Sequence, residues 1–199
     1  MFPDYLRDDV FRLETARLWL RWPTAGDAPF IERLAGEGEV AHWTANIPHP
    51  YPAGAAEKFV LKARASNSEG SGLTLTMALK QKPQAPVGLI ELRWLPVGPQ
   101  LGYWLGRPYW GSGLMAEAIA DLTAFVWLAT DVERIVADAM VDNGRSRHAL
   151  ERAGFVPMGE RPMLAPARGK TVAVMGYELR REAHVGAAPA GLSLQAAQL

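Results

Sequence analysis

The hydrophobic patterning of the chain predicts an α/β fold of the α+β kind: a mixed, mostly antiparallel sheet flanked by helices. Three observations predict it. Residues 73–80, 86–95 and 101–106 alternate apolar and polar side chains between short turns, so they read as an antiparallel meander. A single strand–helix–strand unit, from 101–106 through a helix to 134–141, supplies one parallel pair. The elements on either side, a strand and two helices before and a helix and a hairpin after, add no second unit of that kind.

The elements follow in order. Residues 13–22 (LETARLWLRW) alternate from Leu18 onward and read as the first strand. Thr24 and Asp27 have the spacing of a capping box, with Asp where Glu is usual, and the helix behind them carries Phe30, Ile31 and Leu34. Residues 37–52 read as a short helix running into an irregular loop that holds His42, Trp43, Asn46 and Tyr51. A helix over 55–65 and a polar turn over 66–72 lead into the meander, whose strands are joined by KQKPQ and by 96–99. In its third strand Leu101, Tyr103 and Leu105 point one way and Gly102, Trp104 and Gly106 the other. Arg107-Pro108 ends that strand, because proline cannot donate to a ladder. Gly111 and Gly113 bracket a tight turn, and Leu114, Met115, Ala118, Ile119, Leu122, Phe125 and Val126 then form the stripe of a helix. Asn143 is placed to cap a helix over 144–153, which Gly154 ends. Residues 155–160 and 171–180 make a last hairpin across a proline-rich loop with Arg161, Arg168 and Lys170. From 183 the chain turns to Ala, Gly, Ser and Gln without period. We therefore expect one domain over 1–182 and a flexible tail over 183–199.

Composition bounds the function. At 199 residues, 49% apolar and 21% charged, the chain is ordinary for one globular domain with a core of its own. No apolar run reaches the length of a membrane span, and MFPDYLRDD lacks the basic and apolar regions of a signal peptide. Cytoplasm is the expected compartment. With no cysteine there is no disulfide, thiolate nucleophile or zinc–thiolate site. The histidines (His42, His49, His148, His184) lack metal-ligand spacing, so no metal is expected. A net charge of zero argues against a nucleic-acid partner.

The glycine turn is the chemical signal. A glycine-rich turn between a strand and a helix presents unpaired N–H groups at the positive end of the helix dipole, which suits an anion such as pyrophosphate. A plain turn is one alternative. A second is the dinucleotide fingerprint, which Gly111, Gly113 and Ala116 fit as GxGxxG/A with Asp142 as the ribose-binding acid. The third rests on the longer string GYWLGRPYWGSGLMAEAI. It closely resembles the Gcn5-related N-acetyltransferases, in particular their ribosomal-protein N-terminal (alanine/serine) branch. VDNGRSRHALERAGF, residues 141–155, matches the same family's coenzyme-side helix, in register behind the first block. The resemblance runs from about residue 13 to 182. It implies a sheet of about seven strands flanked by about four helices, with one parallel pair splayed where acetyl-coenzyme A binds. A dinucleotide domain would need several parallel units in succession.

The resemblance also implies roles. The coenzyme pyrophosphate would lie on Gly111, Ser112, Gly113, Leu114 and Met115, and the pantetheine arm along Trp104, Leu105 and Gly106, with Trp110, Asn143, Ser146 and Arg147 beside it. The backbone N–H near Leu105 would stabilise the oxyanion. Many relatives carry a Glu just before the GY of the central strand; here that neighbourhood holds Gln100, which takes no proton. Glu91 is the remaining carboxylate for the base, and an ion pair with a neighbouring Arg is its other reading. A free α-amine, with a pKa of about 8 against about 10.4 for lysine, also allows water to carry the proton. Other branches place a Tyr where Leu150 stands. Ser146 is the candidate proton donor to the thiolate, or simply a first-turn helix serine. Arg145, Arg147 and Arg152 offer either a 3′-phosphate contact or a solvated basic face. Trp43, Asn46, Tyr51 and Tyr103 are candidate acceptor contacts.

The expected function is acetyl transfer from acetyl-CoA to a primary amine by direct attack in a ternary complex, with a protein N-terminus as acceptor. A small-molecule amine (polyamine, amino acid, aminoglycoside) is the next reading, and a non-catalytic acyl-CoA sensor or an NAD-linked enzyme the others. A monomer or homodimer, with no membrane partner, is expected.

Overall fold

The computed structural model describes residues 9–96 and 98–184. In chain order the elements are β1 (Arg12–Glu14), β2 (Leu18–Arg21), α1 (Ala28–Ala35), α2 (Gly38–His42), α3 (Ala55–Glu69), β3 (Gly72–Leu79), β4 (Pro86–Leu95), β5 (Gly98–Leu105), α4 (Leu114–Ala129), β6 (Arg134–Met140), α5 (Gly144–Arg152), β7 (Val156–Ala165) and β8 (Lys170–Arg180). The strands form one sheet in the order β1-β2-β3-β4-β5-β6-β8-β7, and β5–β6 is its parallel pair. The expected mixed, mostly antiparallel sheet is observed, with eight strands and five α-helices among the described residues. It holds none of the successive parallel units that a dinucleotide domain needs.

Helices cover both faces. On one face α4 and α5 bury the whole expected stripe of α4, together with Leu150, against Leu18, Leu20, Leu75, Ile90, Leu92 and Leu101. On the other, α1 and α3 pack Ile31, Leu34, Ala56 and Val60 against Leu89 and Trp104. Alternation along β4 and β5 therefore sends successive side chains into two separate cores.

The element boundaries differ from the expected ones in four places, each with a physical reason. The segment 13–22 is two strands, because the Leu18 N–H donates to Thr15 Oγ1 (2.9 Å) and the Thr15 N–H to the Leu18 carbonyl (3.0 Å), reversing the chain between them. The polar turn expected over 66–72 is largely helix. Asn67 is its buried last-turn residue, donating to the Thr74 carbonyl (2.9 Å) and accepting from the Thr74 N–H (2.7 Å). β3 runs past the end of β2 at this point, so one side chain replaces the missing strand. β5 begins at Gly98, whose φ of 115° lets the reversal close between the paired Leu95 and Gly98. β7 runs on to Ala165 through Pro157 and Pro162, which it tolerates because it is the edge strand. The expected tail over 183–199 lies outside the described residues, apart from its first two positions in the turn Arg181–His184.

Two charged side chains fasten the helices to the sheet. Arg181 donates to the carbonyls of Trp127, Thr130 and Val132 and closes the C-terminal end of α4. At the other end Glu117, in the first turn of α4, accepts from Thr15 Oγ1 (2.5 Å), from the Arg17 N–H (2.7 Å) and from Arg17 Nε (2.6 Å). Burial alone would raise the Glu117 carboxyl; these hydrogen bonds outweigh it and hold the carboxyl below its usual value.

Two stability outcomes follow. Asn67→Ala strips both buried Thr74 backbone groups of their partners and should cost about 2–6 kcal/mol in urea unfolding, at about 1–3 kcal/mol per orphaned group. Glu117→Gln should lower stability at pH 7 and flatten the acid limb. Its folded-state pKa is depressed, so its contribution is present above the unfolded value of about 4.3 and is lost as pH falls through the folded one. Wild type and variant should therefore converge in acid; parallel stability–pH curves would contradict the assignment.

Candidate active site

β5 ends at Leu105, and the chain passes through a 3-10 turn, Arg107–Tyr109, into α4. Gly111 and Gly113 both adopt left-handed conformations, with φ of 72° and 76°. A Cβ at Gly111 would meet nothing within 4 Å, so one face of the loop is open. The first helical bond runs from the Glu117 N–H to the Gly113 carbonyl, 3.1 Å, leaving the N–H groups of Leu114, Met115 and Ala116 without intrahelical partners. Arg17 Nη1 holds the Ser112 carbonyl at 2.9 Å, and the Ser112 hydroxyl donates to the Tyr109 carbonyl at 2.5 Å. Free donors, a dipole end and the nearby Arg152, with Arg17 paired to Glu117 beside them, suit the braced loop to an anion.

Beside the loop the sheet opens. β5 and β6 pair only at Gln100↔Val136 and Leu101↔Ala137, whereas β4 follows β5 to Leu105 and β8 follows β6 to Met140. The gap is a cleft of about 290 Å³ lined by Trp104, Leu105, Trp110, Gly111, Gly113, Leu114, Met115, Asn143 and Ser146 of the expected set. The Gly106 N–H donates to the Val87 carbonyl on β4 (2.9 Å), so strand alternation turns the Leu105 N–H toward the open side. The Leu105 carbonyl is held by Trp110 Nε1 at 2.6 Å.

From the far wall Asn143 caps α5 by accepting the Ser146 N–H at 3.1 Å. Tyr103 Oη reaches across to Ser146 Oγ at 2.8 Å. Burial pushes the Tyr103 phenol well up, which the Ser146 hydrogen bond only partly offsets, so it remains a protonated donor at neutral pH. Leu150 is fully buried in the core.

A second cavity, about 540 Å³, opens on the α1–α3 face and takes in Trp43, Asn46, Tyr51, Glu91 and Tyr103. The segment after α2 is stitched to the β7–β8 turn: Arg168 donates to the carbonyls of Ala41 and Thr44, and the Ala167 N–H to that of Ala45. The two cavities share Trp43, Tyr103, Trp104 and Asp138, so they meet across the splay. Glu91 sits on the face of Leu89 and Arg93, and Arg93 Nε lies 3.2 Å from its Oε1. Arg93 Nη2 approaches Gln100 Oε1 at 3.4 Å, and Gln100 Nε2 donates to Asp138 Oδ2 at 2.9 Å.

Three expected coenzyme residues, Gly106, Ser112 and Arg147, fall outside the cleft lining. Ser112 lines the adjoining pocket with Arg17 and Arg152, while the Gly106 N–H is used by Val87 and a Cβ there would abut Leu34. Arg147 is directed away, donating to Tyr177 Oη and the Val141 carbonyl, both at 3.2 Å. Arg145 and Arg152, seven residues apart and so on one helix face, line the cleft instead, with Arg145 stacked 4.2 Å from the Trp110 ring centre. Asp138 and Arg17 were missed. The signal for Asp138 was an acid inside the otherwise apolar IVADAM, on the face opposite Ile135, Ala137 and Ala139. Nothing local marks Arg17, which acts on a loop about a hundred residues away.

YdaF of Bacillus subtilis (strain 168), whose name assigns it provisionally to ribosomal N-acetylation, is 30% identical over 61 residues. That match covers 31% of this chain and 33% of YdaF, so the chain spans about a third of that relative's length. Among solved structures, Mycobacterium smegmatis RimJ in complex with CoA-disulfide has a TM-score of 0.75 at 20% identity, covering 92% of this chain and 95% of that one. The spermidine N-acetyltransferase of Vibrio cholerae, solved with CoA and spermine, has a TM-score of 0.70 at 18% identity, covering 84% and 98%. At these identities the structural likeness is one of fold. The sequence model of the acetyltransferase (GNAT) domain matches residues 17–156, well over half of the chain. The chain belongs to the GNAT acetyltransferase family.

Proposed function

We propose that this protein is an N-acetyltransferase that moves the acetyl group of acetyl-CoA to a primary amine within a ternary complex. The observation that carries this reading is the splay of β5 from β6. It sets an anion loop at one end of a cleft, a free strand edge along it and a second cavity across it. A thioester lying along that edge would put its carbonyl oxygen at the Leu105 N–H, which supplies the oxyanion donor. Its pyrophosphate would take the N–H groups of residues 111–115. Ser146, backed by protonated Tyr103, is the hydroxyl available to the departing thiolate. With no cysteine in the chain, no thioester forms on a Cys of the enzyme and the amine attacks directly.

For the acceptor, a protein N-terminal amine of the ribosomal type is the first reading, supported by the name of YdaF. A small-molecule amine is the second, favoured by the walled second cavity and by the spermidine N-acetyltransferase among the structural neighbours.

Calorimetry with acetyl-CoA and thiol release with an amine panel test the reading. Gly113→Val should weaken acetyl-CoA binding at least ~10-fold, because the branched side chain blocks the backbone approach and strains a left-handed position. Unchanged affinity would remove the pyrophosphate assignment. Ser146→Ala should lower kcat by about 10- to 100-fold with little change in acetyl-CoA Kd, since it loses an interaction made in the transition state. A wild-type kcat would leave Ser146 as a helix residue only.

A further inference from the structure

The second cavity mixes apolar side chains, among them Ile31, Phe59 and Leu89, with the neutral polar Thr44, Asn46 and Gln100. Its charged lining residues are Glu91, Arg93 and Asp138, and each faces an opposite charge, the Asp138 contacts both falling on Oδ2. Arg93 faces Glu91 at 3.2 Å, and Arg161 Nη2 donates to Asp138 Oδ2 at 2.7 Å. Asp138 is 8% exposed and takes a further hydrogen bond from Gln100 at 2.9 Å. It is the one carboxylate that lines both cavities; Glu91 lines the second alone.

We propose that the acceptor is a primary monoamine on an otherwise uncharged body, and that its nitrogen docks at Asp138 where the cavities meet. The proposal rests on the acetyl-transfer reading. A polyamine would bring a second ammonium to a cavity whose two carboxylates already face arginines, and an unpaired charge taken from water is disfavoured. An N-terminus with an uncharged first residue meets the description.

The same placement gives Asp138 a step that a carboxylate can perform. Carboxylates are far weaker bases than alkylamines, so the amine enters neutral, having given one proton to water. Its lone pair forms the C–N bond, and the carbonyl electron pair moves to the oxygen beside the Leu105 N–H. The nitrogen is now cationic and strongly acidic, and its proton passes to the Asp138 carboxylate. The oxyanion's electron pair re-forms the C=O bond of the amide as the C–S bond breaks with its pair on sulfur, a thiolate held by Ser146 and protonated from solvent, while Asp138 returns its proton to water.

Thiol release by the whole protein with acetyl-CoA should be followed with phenethylamine and leucine amide against spermidine, with acetyl-CoA binding measured separately by calorimetry. The apolar amines should exceed spermidine in kcat/KM by at least ~10-fold. Asp138→Asn should lower kcat/KM for them by about 100-fold at unchanged acetyl-CoA affinity and melting temperature. Faster turnover of spermidine, wild-type rates in the variant, or acetyl-CoA binding without acetylation of either apolar amine would each overturn the proposal and leave the coenzyme assignment standing. Failure to bind acetyl-CoA would overturn both. If Asp138→Asn does not fold, the comparison of amines by the wild-type protein decides.

Discussion

The structure depends on a pairing that stops. β5 and β6 share two registered positions and then diverge, while each keeps its other neighbour to the end. A parallel strand that loses its partner exposes N–H and C=O groups that must be satisfied by something else. In this chain Trp110 takes one carbonyl, Tyr103 bridges the gap to α5, and the Leu105 N–H is left facing the cleft. An antiparallel continuation would have closed the ladder and abolished the site.

The groups around the opening are held by partners remote in sequence. Arg17 joins the turn between β1 and β2 to both Ser112 and Glu117, so the anion loop is braced from the first strands of the chain. Arg168, at the tip of the last hairpin, grips the carbonyls that follow α2 and so fastens one wall of the second cavity. Asn143 and Tyr103 both fix Ser146, one through its backbone and one through its hydroxyl. Each brace is a directional hydrogen bond, and that orients a side chain more sharply than apolar packing does.

Much of this was legible in the sequence because it is written at short range. The meander, the apolar stripe of α4, the Asn143 cap and the two glycines follow from periods and turn chemistry that act within a few residues. The elements that moved were those decided by neighbours. Whether 66–69 continues a helix depends on the gap at Thr74 that Asn67 fills, and whether 161–165 can be strand depends on β7 lying at the edge.

At the site the same division holds. By itself the sequence determined the order of the elements, the anion loop with its glycines, the capped helix carrying Ser146 and the absence of any cysteine nucleophile, all local consequences of residue type. Only the tertiary structure decided that Arg147 turns to Tyr177 while Arg145 and Arg152 face the cleft, that Gln100 serves as a donor, and that Asp138 stands where two cavities join. Those roles depend on which side chains converge across a splayed sheet, and convergence is set by strand register between segments tens of residues apart, which no local period encodes.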